Sequence, residues 1–138
     1  MARSGEKQFV IVDEKEGKKY DVIGRDTPLF SSDSRRIAYV AEEEKRWLTV
    51  VDDVEGKKYD LVAAASLVFS PDNRHVAYGA FLNDKKLVVA VLDENERRSY
   101  YGIVLFWGGR ILYVSPDLFR YLVLKNGTDV YLVEERTD

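Results

Sequence analysis

Two segments of this chain are near copies of each other: Ile11-Val12-Asp13-Glu14-Lys15-Glu16-Gly17-Lys18-Lys19-Tyr20-Asp21 and Val50-Val51-Asp52-Asp53-Val54-Glu55-Gly56-Lys57-Lys58-Tyr59-Asp60, 39 residues apart. The spacing persists beyond them, since Phe30-Ser31-Ser32-Asp33 returns as Phe69-Ser70-Pro71-Asp72 and Ile37-Ala38-Tyr39 as Val76-Ala77-Tyr78. A fixed period of about 40 residues marks a repeat architecture, in which each unit is one supersecondary element that covers its apolar face with its neighbours. At 138 residues the chain is one domain long, with room for about three such units.

Within one period, four short runs rich in Val, Leu, Ile and Tyr alternate with turn residues. In the second unit they are Leu67 to Phe69, His75 to Ala80, Lys86 to Leu92 and Arg98 to Val104. Runs of this length and composition are strands, and no segment reads as a helix. Naming the four strands a to d, the chain spells c-d, a-b-c-d, a-b-c-d, a-b-c. Ser-Ser-Asp and twice Ser-Pro-Asp form the a-to-b turns, where the Asp side chain bonds nearby amides. Asn126-Gly127 suits a tight two-residue hairpin turn. The predicted fold is all-β: four-stranded antiparallel blades of the β-propeller type, about three per chain, forming a partial propeller. The repeats fall at roughly 28–66, 67–110 and 111–138, preceded by a half-blade at 7–27.

The segment Phe69-Ser70-Pro71-Asp72-Asn73-Arg74-His75-Val76-Ala77-Tyr78 resembles the Ser-Pro-Asp blade motif of the TolB-like, WD-like propeller repeats of bacteria. The motif recurs at Phe30 to Tyr39 and, in weaker form, at Val114 to Val123. The resemblance implies a propeller in which the aromatic residue before Ser-Pro-Asp packs between blades, a role that Val114 would fill less fully. It implies little about activity, because such blades serve as exported scaffolds, peptidase accessory domains and proteins of other roles.

Composition excludes some classes of partner. A formal charge of −3, with 21 basic residues interleaved among 24 acidic ones, disfavours a nucleic-acid surface. With no cysteine there is neither a disulfide nor thiolate chemistry, and the redox compartment is not readable. No apolar run approaches the roughly 20 residues of a spanning helix, so no membrane is expected. The first residues, Met1 to Lys7, lack the apolar stretch of a secretory leader. As written the chain is expected to stay where it is made, although the family it resembles is often exported.

Constellations for catalysis are missing. His75 is the only histidine, and it follows an a-to-b turn that already accounts for Ser70 and Asp72, whereas a Ser-His-Asp triad needs a buried, oriented carboxylate and an oxyanion hole. Asp13 to Gly17 and Asp52 to Gly56 place acids near a glycine but lack the ligand pattern of a calcium loop. Glycine-rich phosphate loops are absent. The expectation is a non-enzyme with no catalytic residues, no cofactor and no metal.

Two departures from the period suggest a binding surface. Tyr78 to Asp93 is two residues longer than Tyr39 to Asp52, and Tyr100 to Val114 is four longer than Tyr59 to Phe69. In a propeller the b–c and d–a loops emerge at the same end. The added segments carry Phe81, Leu82, Asn83, Phe106, Trp107 and Arg110, and aromatic residues with Arg dominate binding hot spots. Phe81, Asn83, Phe106, Trp107 and Arg110 are therefore candidate binding residues; alternatively Phe106 and Trp107 plug the channel or an inter-chain seam. Three repeats with unmatched ends also predict self-association, the simplest form being a homodimer that closes a six-bladed ring. The d strand near Lys18 to Val22 would then pair with the partner's c strand near Asp129 to Val133. The functional expectation is a non-catalytic repeat scaffold that binds a protein or peptide. The alternative is an accessory propeller segment of a larger hydrolase whose catalytic domain lies elsewhere.

Overall fold

A computed structural model describes residues 2–4, 7–24, 27–82, 87–101, 103–105, 111–125 and 129–137. Among them there is no helix, and every strand pairing is antiparallel. The N-terminal part consists of β1 (Ala2–Ser4) against β2 (Lys7–Phe9) and β3 (Ile11–Val12) against β4 (Lys15–Glu16). The first large sheet contains β5 (Val22–Ile23), β6 (Leu29–Phe30), β7 (Ile37–Glu43), β8 (Arg46–Val51) and β9 (Val54–Glu55). The second is a meander of β10 (Leu61–Phe69), β11 (Val76–Leu82), β12 (Leu87–Leu92) and β13 (Asn95–Tyr101). The third contains β14 (Ile103–Leu105), β15 (Leu112–Ser115), β16 (Leu118–Lys125) and β17 (Asp129–Arg136).

The turns explain why the strands stop where they do. Asp13-Glu14, Glu44-Lys45, Asp52-Asp53 and Asp93-Glu94 each place two successive residues at positive φ, between 48° and 67°. Such turns match the right-handed twist of the strands they join. The a-to-b turns are held by side chains: Ser31 donates to Asp33 at 2.5 Å, Ser70 to Asp72 at 2.5 Å and Ser115 to Asp117 at 2.6 Å. Asp33 and Asp72 also accept from the Arg35 and Arg74 amides, at 3.0 and 3.1 Å. At the same turns Ser31 and Ser70 accept from the Arg36 and His75 amides, both at 3.0 Å.

Strand a begins earlier than its sequence suggests. Leu61 to Ala63 already pair with Gly79 to Phe81, and a register shift precedes the pairing of Val68 and Phe69 with Ala77 and Val76. In the first repeat the same strand is split into β5 and β6, on either side of the segment that contains Gly24 and Pro28. The predicted single run from Arg98 to Val104 is likewise divided, for β13 pairs with β12 whereas β14 pairs with β16 of the next unit. The third a-to-b turn is shorter than its counterparts, with Ser115 opposite Leu118. Tyr121, opposite Val133, therefore takes the place of Tyr39 and Tyr78, which stand opposite Val50 and Val91.

The core lies between successive sheets. Val10, Tyr20, Ile23, Tyr39, Ala41, Leu48 and Val50 form one cluster. A second gathers Ala38, Val40, Tyr59, Phe69, Tyr78, Val89 and Val91 among others, and a third includes Ala77, Leu92, Phe119, Tyr121 and Val133. Tyr20 meets Tyr39 edge-on at 6.3 Å, and Tyr59 meets Tyr78 in the same way at 6.4 Å. Leu132 is 53% exposed beside the buried Val133, because successive residues of a strand face opposite sides.

Candidate functional site

Neighbouring repeats are joined by a recurring polar contact. The Lys-Lys-Tyr segment of one unit reaches the glutamate of the next hairpin. Tyr20 donates to Glu55 at 2.7 Å and Lys18 lies 3.1 Å from the same carboxylate. One repeat on, Tyr59 donates to Glu96 at 2.8 Å and Lys57 pairs with it at 2.8 Å. These donors hold Glu55 and Glu96 below the usual glutamate range, the Tyr20 hydrogen bond first for Glu55 and the Lys57 one first for Glu96.

Next to this contact the two repeat junctions differ. At the second junction, Glu94 belongs to an exposed turn but directs its carboxylate inward, accepting from the Lys57 amide at 3.3 Å and from the Tyr78 hydroxyl at 3.2 Å. It rests on Gly56: a Cβ there would stand 2.1 Å from Glu94 Oε2. Burial raises the Glu94 carboxyl above its ordinary value, against the hydrogen bonds that lower it.

At the first junction the same frame is present without its carboxylate. Gly17, Lys18 and Tyr39 stand where Gly56, Lys57 and Tyr78 stand, but the turn residue is Asp53, one methylene shorter than Glu94. A Cβ on Gly17 would meet only the Val10 carbonyl oxygen at 3.2 Å and the Tyr39 hydroxyl at 3.5 Å. Tyr39 is 3% exposed, yet its hydroxyl has no hydrogen-bond partner among the described residues, and neither has the Lys18 amide. Burial, followed by the nearby Asp53 and Glu55, raises the Tyr39 phenol above its ordinary value. Here a cavity of about 550 Å³ opens, with Val10, Val12, Ile37 and Val50 as apolar wall and Tyr20 and Tyr39 within it. Asp13, Lys15, Glu16, Lys18, Asp53 and Glu55 surround it.

Phe30 and Phe69 show the second difference between repeats. Phe69 is 9% exposed, clustered with Ala38 and Val40 and lying 5.5 Å from the Arg36 guanidinium. Phe30, its counterpart 39 residues earlier, is 51% exposed. Among the described residues none takes the place of Ala38, Val40 and Arg36 beside it. On the C-terminal unit, Arg120 and Glu134 stand opposite each other, 3.6 Å apart at the ion pair, where earlier units carry Ala38 opposite Val51 and Ala77 opposite Leu92.

Of the residues expected to form a binding patch, Phe81 is half-buried on β11, opposite Leu61 and Val88. Asn83, Phe106, Trp107 and Arg110 lie outside the described residues. His75 contacts Asp93 at 2.5 Å, the place where the first repeat pairs Arg36 with Asp52 at 2.8 Å. Ser70 engages Asp72 and the His75 amide, so its hydroxyl is committed to the turn. No group of three or more His, Cys, Asp or Glu is placed to hold a metal among the described residues. The cavity escaped sequence reasoning, although one signal was visible: Asp53 stands where the other hairpins carry Glu14 and Glu94. Compared with known proteins, the chain matches no family model, no curated protein and no solved structure.

Proposed function

We propose that this chain is a non-catalytic scaffold of propeller-type repeats that binds polypeptide and self-associates through its uncovered Phe30 face. The observation that carries this reading is the contrast between Phe30 and Phe69. In a stacked repeat the apolar face of each unit is completed by a neighbour, and the Phe30 face has no such neighbour among the described residues. The sheet succession and the Ser-x-Asp turns support propeller-type blades. Because Arg120 and Glu134 make the opposite face polar, the favoured assembly joins two Phe30 faces about a two-fold axis. A second reading, head-to-tail closure of a six-bladed ring by two copies, is favoured by β17, which among the described residues pairs only with β16.

Light scattering at micromolar concentration tests the proposal. A dimer that dissociates in Phe30→Ser, with the circular dichroism spectrum retained, supports the Phe30 face. A dimer that survives Phe30→Ser but dissociates when a proline is placed at Tyr131 supports ring closure through β17. A monomeric parent chain at all concentrations removes self-association from the function.

A further inference from the structure

At the first repeat junction the frame that holds the Glu94 carboxylate at the second recurs, and no carboxylate of the described residues bonds the Lys18 amide or the Tyr39 hydroxyl. We propose that the cavity there binds a small aliphatic carboxylic acid, its carboxyl group held on Gly17 between the Lys18 amide and the Tyr39 hydroxyl and its tail against Val10, Val12, Ile37 and Val50. This goes beyond the scaffold reading and does not depend on the Phe30 face.

Three features of the fold support this assignment. The repeat itself displays the occupied form, in which the Glu94 carboxylate lies on Gly56 and takes hydrogen bonds from the Lys57 amide and the Tyr78 hydroxyl. The first junction keeps every part of that seat. It shortens only the side chain that would fill it, from the length of Glu94 to that of Asp53. The Tyr39 hydroxyl, on a residue 97% buried by its 3% exposure, is thereby left aimed into a cavity of about 550 Å³ without a partner among the described residues. The Tyr39 hydroxyl opens onto the cavity and has no protein partner among the described residues, so it is free to meet a ligand's carboxyl group as Tyr78 meets that of Glu94. The apolar part of the lining gives the ligand its class, since Val12 and Ile37, part-exposed above the buried Val10 and Val50, offer surface that a tail of several methylenes can cover.

The surrounding charges set the pH dependence. Asp13 and Glu16 face the cavity from the N-terminal hairpin, and Asp53 and Glu55 face it from the β8–β9 hairpin. They outnumber Lys15 and Lys18, and Lys18 is already engaged by Glu43 and Glu55. Such surroundings favour the uncharged acid, whose carbonyl oxygen accepts from the Lys18 amide and whose hydroxyl meets Tyr39. Uptake should strengthen as pH falls toward the ligand's own pKa. Burial acts in the same direction on Glu94 in the occupied seat.

Hexanoic acid serves as the probe, titrated into the whole chain at pH 5 and pH 7 by calorimetry and by amide chemical shifts. The expected result is saturable binding, stronger at pH 5, with the largest shifts at the Gly17 and Lys18 amides. Asp53→Glu places the protein's own carboxylate in the seat and should weaken hexanoic acid at least tenfold. Glu is sterically acceptable there, because Glu14 and Glu94 hold the same φ of 67°. Glu94→Asp should create a second site, reported at the Gly56 and Lys57 amides. If either variant fails to fold, Tyr39→Phe, which keeps the ring, should still weaken binding at least threefold. Equal binding of hexylamine, unchanged affinity in Asp53→Glu, or the absence of shifts at Gly17 and Lys18 would each overturn the proposal. So would binding of a capped glutamate peptide with no binding of hexanoic acid, which would assign the seat to a polypeptide side chain.

Discussion

The Tyr59 hydroxyl donates to Glu96 across 2.8 Å, joining one repeat to the hairpin of the next. Tyr59 is buried while the glutamate stays partly open to solvent. A hydrogen bond to a charged group contributes roughly 1.5–3 kcal/mol when well shielded, and partial exposure lowers that figure. Tyr59→Phe should therefore cost about 1–2 kcal/mol, read as a lower urea midpoint at unchanged m-value. Tyr20→Phe, which removes the equivalent contact to Glu55, should cost a similar amount.

Acid should weaken these junctions first. Glu43, Glu55 and Glu96 all have folded pKa values below their ordinary one, held down by Lys18 and Lys58, by Tyr20 and Lys18, and by Lys57 and Tyr59 respectively. A depressed carboxylate contributes stability that is present above its unfolded pKa and is lost as pH falls through the folded one. Glu94 works in the opposite sense, because its raised pKa makes stability fall as pH rises through the window above the ordinary glutamate value. Denaturation midpoints measured from pH 7 to pH 3 should decline below about pH 4.5, less steeply in Glu96→Gln. Glu94→Gln should flatten the dependence above that pH. An unchanged profile in both variants would contradict the junction electrostatics.

Equivalent positions should differ in cost. Phe69→Ala removes a buried ring and should destabilise by roughly 3–5 kcal/mol. Phe30→Ala, at the same point of the previous repeat, should cost less than about 0.5 kcal/mol in the monomer. Thermal melts of the two variants at low concentration check this, and equal losses would show that Phe30 is covered.

Gly56→Ala should displace the Glu94 carboxylate from its seat, because the added Cβ cannot coexist with Oε2 at 2.1 Å. The loss should shrink in the Glu94→Ala background. A double-mutant cycle is expected to give a coupling of at least about 0.5 kcal/mol, the scale for residues in contact. Additive losses would mean that the carboxylate does not rest on Gly56.

The repeat and most of its strands were legible in the sequence because both depend on local signals. The 39-residue period, the Ser-x-Asp turns and the alternation around Tyr39 and Tyr78 are written in contiguous residues. What escaped depends on pairing partners. Leu61 to Ala63 look like the end of one unit, yet they pair with β11, because the chain crosses between sheets without a turn residue to mark the step. Counted without a gap from Val114, Val123 falls in the Tyr78 position, whereas the shorter turn at Pro116-Asp117 brings Tyr121 there. The cavity was missed for a different reason. It arises from the reach of Asp53 across a junction, and the absence of one methylene in a surface turn leaves no trace in strand periodicity.

The paired positive-φ turns set local preference against long-range contact. A residue with a Cβ in the left-handed region costs roughly 1–2 kcal/mol relative to its usual conformation, and glycine would remove most of that cost. At Glu44-Lys45 the second residue is exposed. Glycine at Lys45 is then the better local choice and should leave the fold more stable. At Glu94 the same replacement would relieve the backbone but discard the carboxylate that spans Gly56 and Tyr78. Two turns with the same φ of 67° at the second residue thus differ in what an optimised sequence would write there, because the link to the preceding unit runs through the Glu44 backbone amide in one and through the Glu94 side chain in the other.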